Sequence, residues 1–356
     1  MTFNAVNCVA AFNMESDSLV YPFGGKNKIN DLTIGKKVKQ IPEGLFYGLN
    51  KVVLIEIPAS VTSIGALAFA KCDLLKTIYF NATKCETASG KVKGVVHGPF
   101  EQCPALASVT FDDKVLVIPA YLFKDCNTLQ RASIGENCKC TIIGAHAFEN
   151  CSQMKNIRIS EYIDVIGDYA LYNTGINKFA VHSFMKEIGV GAVGGCKMLA
   201  NVTCKKDNES FIVKNGILYT KDMDRVICCP ASKGLPTMDL TELPLQTIDD
   251  GAFINCVNIV KVLLPGTVSY IGKEAFYNCT KLQEIHVPSG SMPTVTGPIF
   301  SDQVKKNANL KVAPGLVTTY RNHEVWKGFK NVGETFVPTY EIIYEYEDTP
   351  AKKKKK

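Results

Sequence analysis

The segment "IPASVTSIGALAFAKCDLLKTIYF" (57–80) carries two patterns that change midway. In Gly65-x-x-Ala68-Phe69-x-x-Cys72 the apolar residues stand three apart, the spacing of one or two helical or 3₁₀ turns. In Leu75-x-x-Ile78-x-Phe80 the pattern passes into alternation, the period of a short strand with one buried face. Outward along the chain the same block returns, anchored on Phe23, Phe46, Phe69, Phe100, Phe123, Phe148, Phe253, Phe276 and Phe300, with Leu171 and Val193 as substitutes. Five residues before most anchors stands an isoleucine, as at Ile41, Ile64, Ile143 and Ile271, often followed by glycine. Three residues after comes Cys72, Cys103, Cys126, Cys151, Cys196, Cys256 or Cys279.

One block cannot bury its strand face alone, so the blocks must stack, pairing their strands and lining up the phenylalanines. Most anchors lie within the roughly 20–29-residue period of leucine-rich repeats. The expected fold class is α/β, mainly β: a right-handed leucine-rich-repeat solenoid of about 11 turns. One face is a parallel sheet and the other carries short helical or 3₁₀ turns. Strands are expected at 31–34, 54–57, 76–80, 107–111, 131–134, 156–159, 201–204, 260–264 and 283–287. The wide gaps Phe69 to Phe100 and Val193 to Phe253 mark insertions. In the second, Ile217–Thr220 and Arg225–Cys229 flank the polar Lys221-Asp222-Met223-Asp224, which predicts a β-hairpin insertion at about 205–240.

The 57–80 segment and "LPGTVSYIGKEAFYNCTKLQEIHVP" (264–288) resemble the repeat unit of the BspA-like leucine-rich-repeat family. "FIVKNGILYTKDMDRVICCPASKG" (211–234) is similar to a segment recurring in its bacterial members, and "YRNHEVWKGFKNV" (320–332) to their closing segment. The resemblance covers residues 1–335, read as one domain. It implies a cell-surface or secreted protein of mucosal bacteria, adhering to a host matrix protein, cell-surface protein or glycan. Residues 336–356 are read as a linker or the start of a next domain, with "TYEIIYEYED" following Pro338, plus a lysine tail. "FNAVNC" (3–8) nearly duplicates "FNATKC" (80–85), which follows a repeat strand. Met1 is therefore read as standing where an upstream repeat's strand belongs, and the chain as a fragment of a longer protein. No signal peptide is visible in Met1–Met14.

Composition narrows the function. Of the net charge of +6, Lys352–Lys356 supply five, leaving +1 (6 − 5) for the rest. A nearly neutral body lacks the clustered cations of a phosphate-tracking groove, so no nucleic-acid partner is expected. No run approaches the roughly 18 apolar residues of a membrane-spanning helix.

Half of the 14 cysteines occupy one repeat position and come singly, so they read as buried thiols, without the paired spacing of a metal site. Cys138-x-Cys140 and Cys228-Cys229 lie outside that position and are the better candidates for redox pairing. Gly189-Val190-Gly191-Ala192-Val193-Gly194 fits G-x-G-x-x-G but lacks the surrounding βαβ unit, so Gly189 is read as the repeat glycine. Asp249-Asp250 reads as a cap or solvated pair. The five histidines are scattered and no hydrolase or nucleotide motif is present, so no enzyme, cofactor or metal is expected. Five N-x-S/T sequons, at Asn81, Asn150, Asn201, Asn208 and Asn278, arise largely from the repeat itself.

What remains is the sheet face. Alternation directs Leu54, Glu56, Thr77, Tyr79, Ser108, Thr110, Arg131, Ser133, Asn156, Arg158, Lys178, Asn201, Thr203, Lys261, Leu263, Glu284 and His286 outward. Arg131, Arg158 and Lys178 fall on consecutive turns, and strand spacing of about 4.8 Å would gather them into a patch. Tyr79, Arg131, Asn156, Arg158, Lys178 and Asn201 are the candidate ligand-binding residues, suited to a protein or glycan. The alternatives are ordinary solvation of a sheet in a structural spacer, or, least favoured, an enzyme hidden in the short insertions.

Overall fold

The computed structural model describes residues 1–5, 23, 29–231 and 235–335. They form a parallel β-solenoid of about 13 turns with few helices. Each regular turn runs through a long strand, a short strand and the anchor block. The long strands include Leu54–Ile57, Thr77–Phe80, Ser108–Phe111, Arg131–Ile134, Lys178–Val181, Asn201–Cys204, Glu284–Val287 and Asn309–Val312. Their alternate residues are buried, as in Thr77–Phe80, where Ile78 and Phe80 face inward and Tyr79 outward. Thr2–Phe3 belongs to this face, paired with Thr33–Ile34. Lys178–Val181, Thr237–Asp239, Asn309–Val312 and Asn331–Glu334 are further long strands outside the expected set.

A second parallel ladder runs beside the first, built from two-residue strands such as Gln40–Ile41, Ser63–Ile64, Val117–Ile118, Ile142–Ile143, Val165–Ile166 and Tyr270–Ile271. The repeat isoleucine is its buried residue. The glycine after it has no room for a side chain: a Cβ at Gly144 would lie 2.5 Å from the Ala120 nitrogen of the preceding turn.

The anchor blocks, expected as helical or 3₁₀ turns, are pairs of i→i+3 turns; among the described residues only the block of Phe300 runs on into helix, at Asp302–Asn307. Two left-handed residues flank most anchors at −2 and +2, as at Leu67/Lys71, Tyr121/Asp125, His146/Asn150, Gly191/Gly195 and Glu274/Asn278, with φ between 54° and 72°. Such a backbone costs L-residues roughly 1–2 kcal/mol each. It aims alternate N–H groups at the next turn: Gly44, Phe46 and Gly48 donate to the carbonyls of Ala66, Ala68 and Ala70 at 3.0, 2.8 and 2.9 Å. Backbone groups that a lone helical turn would leave unpaired are thus satisfied between turns.

Inside, the anchors stack. Ring centroids of Phe46, Phe69, Phe100, Phe123 and Phe148 follow one another at 5.2, 5.0, 5.4 and 5.7 Å, and Phe253, Phe276 and Phe300 at 5.0 and 5.7 Å. All eight are buried, as are Leu171 and Val193. Phe23 is half-buried and stacks 5.9 Å from Phe46; its sequence neighbours lie outside the described residues. The repeat cysteines are buried and donate their thiols to the anchor carbonyl of the preceding turn, Cys103 to Phe69 and Cys151 to Phe123 at 3.2 Å. All 13 described cysteines are unpaired. Cys138 and Cys140 are fully buried and fill the core. Cys8, the 339–348 stretch and the lysine tail lie outside the described residues.

The second insertion is itself a turn. Ile217–Thr220 and Arg225–Cys228 form the expected antiparallel hairpin, Phe211–Lys214 adds an unexpected antiparallel strand on its other side, and Arg225–Cys228 also pairs in parallel with Thr247–Ile248, taking the short-strand place. The N–H of Cys229 donates to Ala252 at 2.7 Å, as an anchor does, so Cys229 stands where a phenylalanine usually would. Arg225 clamps the join, reaching Asp249 at 2.7 and 2.6 Å and the Ile188 carbonyl at 3.2 Å. Asp249 is buried, and desolvation pushes its carboxyl up to about 6 despite that guanidinium. Across the same join Tyr172 donates to Glu274 at 2.6 Å and Tyr169 to Asp250. At the far end Trp326, Tyr320 and Phe329 close over Phe300, with Trp326 and Phe329 at 5.7 and 5.1 Å from it.

Candidate functional site

Every side chain assigned outward from the alternation is exposed or half-exposed on the long-strand face. Toward its C-terminal end three charges satisfy one another: Glu284 takes Lys261 at 2.7 Å and His286 at 2.8 Å, and these partners hold its carboxyl below the usual range. The centre differs. Arg131 and Lys178 are exposed and enter no ion pair among the described residues. Arg158 reaches back to Glu136 at 2.7 Å, a pair largely in solvent.

The six candidate residues do not form one patch. Arg131 and Asn156 are register partners, and so are Lys178 and Asn201. The ladder is broken between these pairs. Asn156–Ile157 bonds only to the strand before it and Lys178–Val181 only to the strand after it. The expected 4.8 Å spacing therefore does not link Arg158 to Lys178, which stand on opposite banks of an open groove of about 570 Å³. Ile157, Ile159 and Phe179 line it, Ile157 and Ile159 only half-buried. Tyr79 stands apart, on a strand two turns before Arg131.

Sequence reasoning missed this apolar lining, although the spacing carries a signal for it. In regular turns the long strand starts eight residues after its anchor, Phe69 to Thr77, Phe123 to Arg131 and Val193 to Asn201. From Leu171 to Lys178 it starts after seven. The residue is lost around Thr174-Gly175, and Gly175 presses on the preceding turn, where a Cβ would lie 2.5 Å from the Ser152 carbonyl. A strand arriving one residue early is displaced by about 3.3 Å along its axis. It keeps its forward pairing and loses the backward one.

A second concavity of about 340 Å³ lies beside the hairpin, walled by Ile217, Tyr219, Met238, Leu240 and Leu243 and rimmed by Lys214, Asp239 and Glu242. The other sequence candidates have structural roles. Gly191 holds a left-handed position, and Gly189 lies against Asp168, where a Cβ would meet its nitrogen at 2.4 Å. Among the sequons, Asn208 is buried with its amide on the His182 and Met185 carbonyls at 2.8 and 2.9 Å. Among the described residues no His, Cys, Asp and Glu cluster fits a metal ion, and no helix is long and apolar enough to cross a membrane.

The repeat description "BspA type Leucine rich repeat region" matches in six copies over residues 20–139, 137–216 and 231–320, most of the chain. The chain belongs to the BspA-type leucine-rich-repeat family. Among solved structures, a leucine-rich cell surface protein of Faecalibacterium prausnitzii is similar at 18% identity and a TM-score of 0.56, over 85% of this chain and 84% of that one. A leucine-rich repeat protein of Eubacterium ventriosum is similar at 18% identity and a TM-score of 0.50, over 74% of this chain and 61% of the other's length. At these identities the likeness is one of fold. No curated protein matches the sequence.

Proposed function

We propose that this BspA-type chain is a non-catalytic interaction module, displayed at the cell surface or secreted, that binds a host protein or glycan through its long-strand face. The observation that carries the reading is the pair Arg131 and Lys178, two exposed cations that enter no ion pair among the described residues, on a face where Lys261, Glu284 and His286 satisfy one another. Arg158 joins them at little cost, because an ion pair as exposed as Arg158–Glu136 is screened by solvent and exchanges readily. Asn156 and Asn201 supply hydrogen-bonding groups beside these cations, and Tyr79 extends the surface toward the amino terminus. A guanidinium matches two oxygens at once, so a carboxylate-rich protein segment or a sulfated glycan is the expected partner class. Repeat solenoids generally bind through their extended strand surface. The similar F. prausnitzii structure is that of a cell surface protein, which accords with display outside the cell.

The test is a panel of host matrix proteins, acidic proteins and sulfated and unsulfated glycans presented to the purified protein. Binding confined to acidic or sulfated members is expected. Uniform indifference replaces this reading with that of a structural spacer carrying another domain.

A further inference from the structure

Among the described residues the long-strand ladder is interrupted at three places; the break between Asn156–Ile157 and Lys178–Val181 has two banks, each a strand paired on one side only. A strand so placed presents a row of unpaired N–H and C=O groups to whatever lies beside it. The floor between the banks is apolar. Ile157 and Ile159 are half-buried, whereas their counterparts Ile78 and Phe80, or Val109 and Phe111, are buried. Just past the groove, Ser160 keeps a buried hydroxyl with no partner. The groove volume, about 570 Å³, lies within the range of about 300–1,000 Å³ typical of ligand clefts. Arg158 stands on one bank and Lys178 on the other.

We propose that this seam receives an extended acidic segment of a partner polypeptide as an added parallel strand. The proposal rests on the reading that the long-strand face binds, and names the site and the form of the ligand. Main-chain hydrogen bonds to the open banks supply affinity, and alternate side chains supply specificity. Inward residues of the segment rest on Ile157, Ile159 and Phe179, which favours small apolar side chains. Outward residues meet Arg158 and Lys178, with Arg131 one strand away, which favours aspartate or glutamate. A glycan could satisfy the cations but not the strand edges.

Three probes separate these contributions: a short synthetic peptide alternating aspartate and valine, the same peptide N-methylated on alternate amides, and heparin as an anion without a strand-forming backbone. Two variants close the seam while keeping its charges. One inserts a single residue between Gly175 and Ile176, restoring the regular spacing; the other, Ala180→Trp, fills the groove from an exposed position. The peptide should bind the native protein and protect the amides of 157–159 and 179–180 from hydrogen exchange. N-methylation and either variant should each weaken it by tenfold or more, with heparin changed less than twofold. Ala180→Trp carries the comparison if the insertion does not fold. Equal binding of the N-methylated peptide, undiminished binding to the variants, or heparin binding without peptide binding would overturn strand addition and leave the cationic face standing. Binding of neither probe would overturn both readings.

Discussion

At the scale of single residues the repeat is written in side chains whose roles differ although their burial is alike. Phe148 lies fully buried between stacked neighbours, so Phe148→Ala opens a cavity and should cost about 3–5 kcal/mol in denaturant melts. Tyr79→Ala, on an outward residue 42% exposed, should stay within about 0.5 kcal/mol of the native protein. Comparable losses at the two positions would mean that the strand register is wrong. The cysteines combine small apolar bulk with one weak donor, and burial pushes Cys140 and Cys279 up to about 12 and Cys196 to about 11. They should label poorly in the native state and fully on unfolding without a reductant. Their raised values also fix a sign. Below the ordinary thiol value of 9.0 both states hold the proton and stability is full. As pH climbs from there toward 12, the unfolded chain ionises first and stability falls. Cys140→Val with Cys279→Val should make that alkaline fall shallower, and an unchanged slope in melts at rising pH would count against buried thiols as its source.

At the scale of elements, legibility followed the length of the pattern. Four-residue long strands such as Thr77–Phe80 alternate visibly, and their positions could be read directly. Two-residue strands such as Ser63–Ile64 are too short to show a period, so the second ladder was present only as an unexplained isoleucine. The three-residue spacing of Gly65-x-x-Ala68-Phe69-x-x-Cys72 suits helix and paired turns equally. The left-handed residues that decide between them include Leu67, Lys71 and Tyr121, side chains with no preference for that region. The turn through Cys229 was hidden because its anchor is not aromatic and a hairpin precedes its short strand. Arg225 secures that turn by a bidentate pair to buried Asp249. Arg225→Ala leaves a buried carboxyl without its partner and should cost about 3–5 kcal/mol. A melt indistinguishable from the native one would show that the hairpin docks without this clamp.

At the scale of the molecule, stacking turned a sequence period into an extended surface, and the one-residue shortening before Lys178 became an open groove on it. Outward directions along the long strands could be read from alternation. The grouping of Arg131, Arg158 and Lys178 could not, because it depends on pairing between turns and a residue missing near Gly175 interrupts that pairing. The central claim is that these three cations form the binding surface of the module. Its most direct test is the affinity for heparin and for an acidic peptide, measured across a salt series for the native protein and the triple variant Arg131→Ala, Arg158→Ala, Lys178→Ala. The account predicts at least tenfold weaker binding at low salt, a flattened salt dependence, and an unchanged melting temperature. Undiminished binding with the native salt dependence would contradict it and shift attention to the concavity beside the 211–220 hairpin.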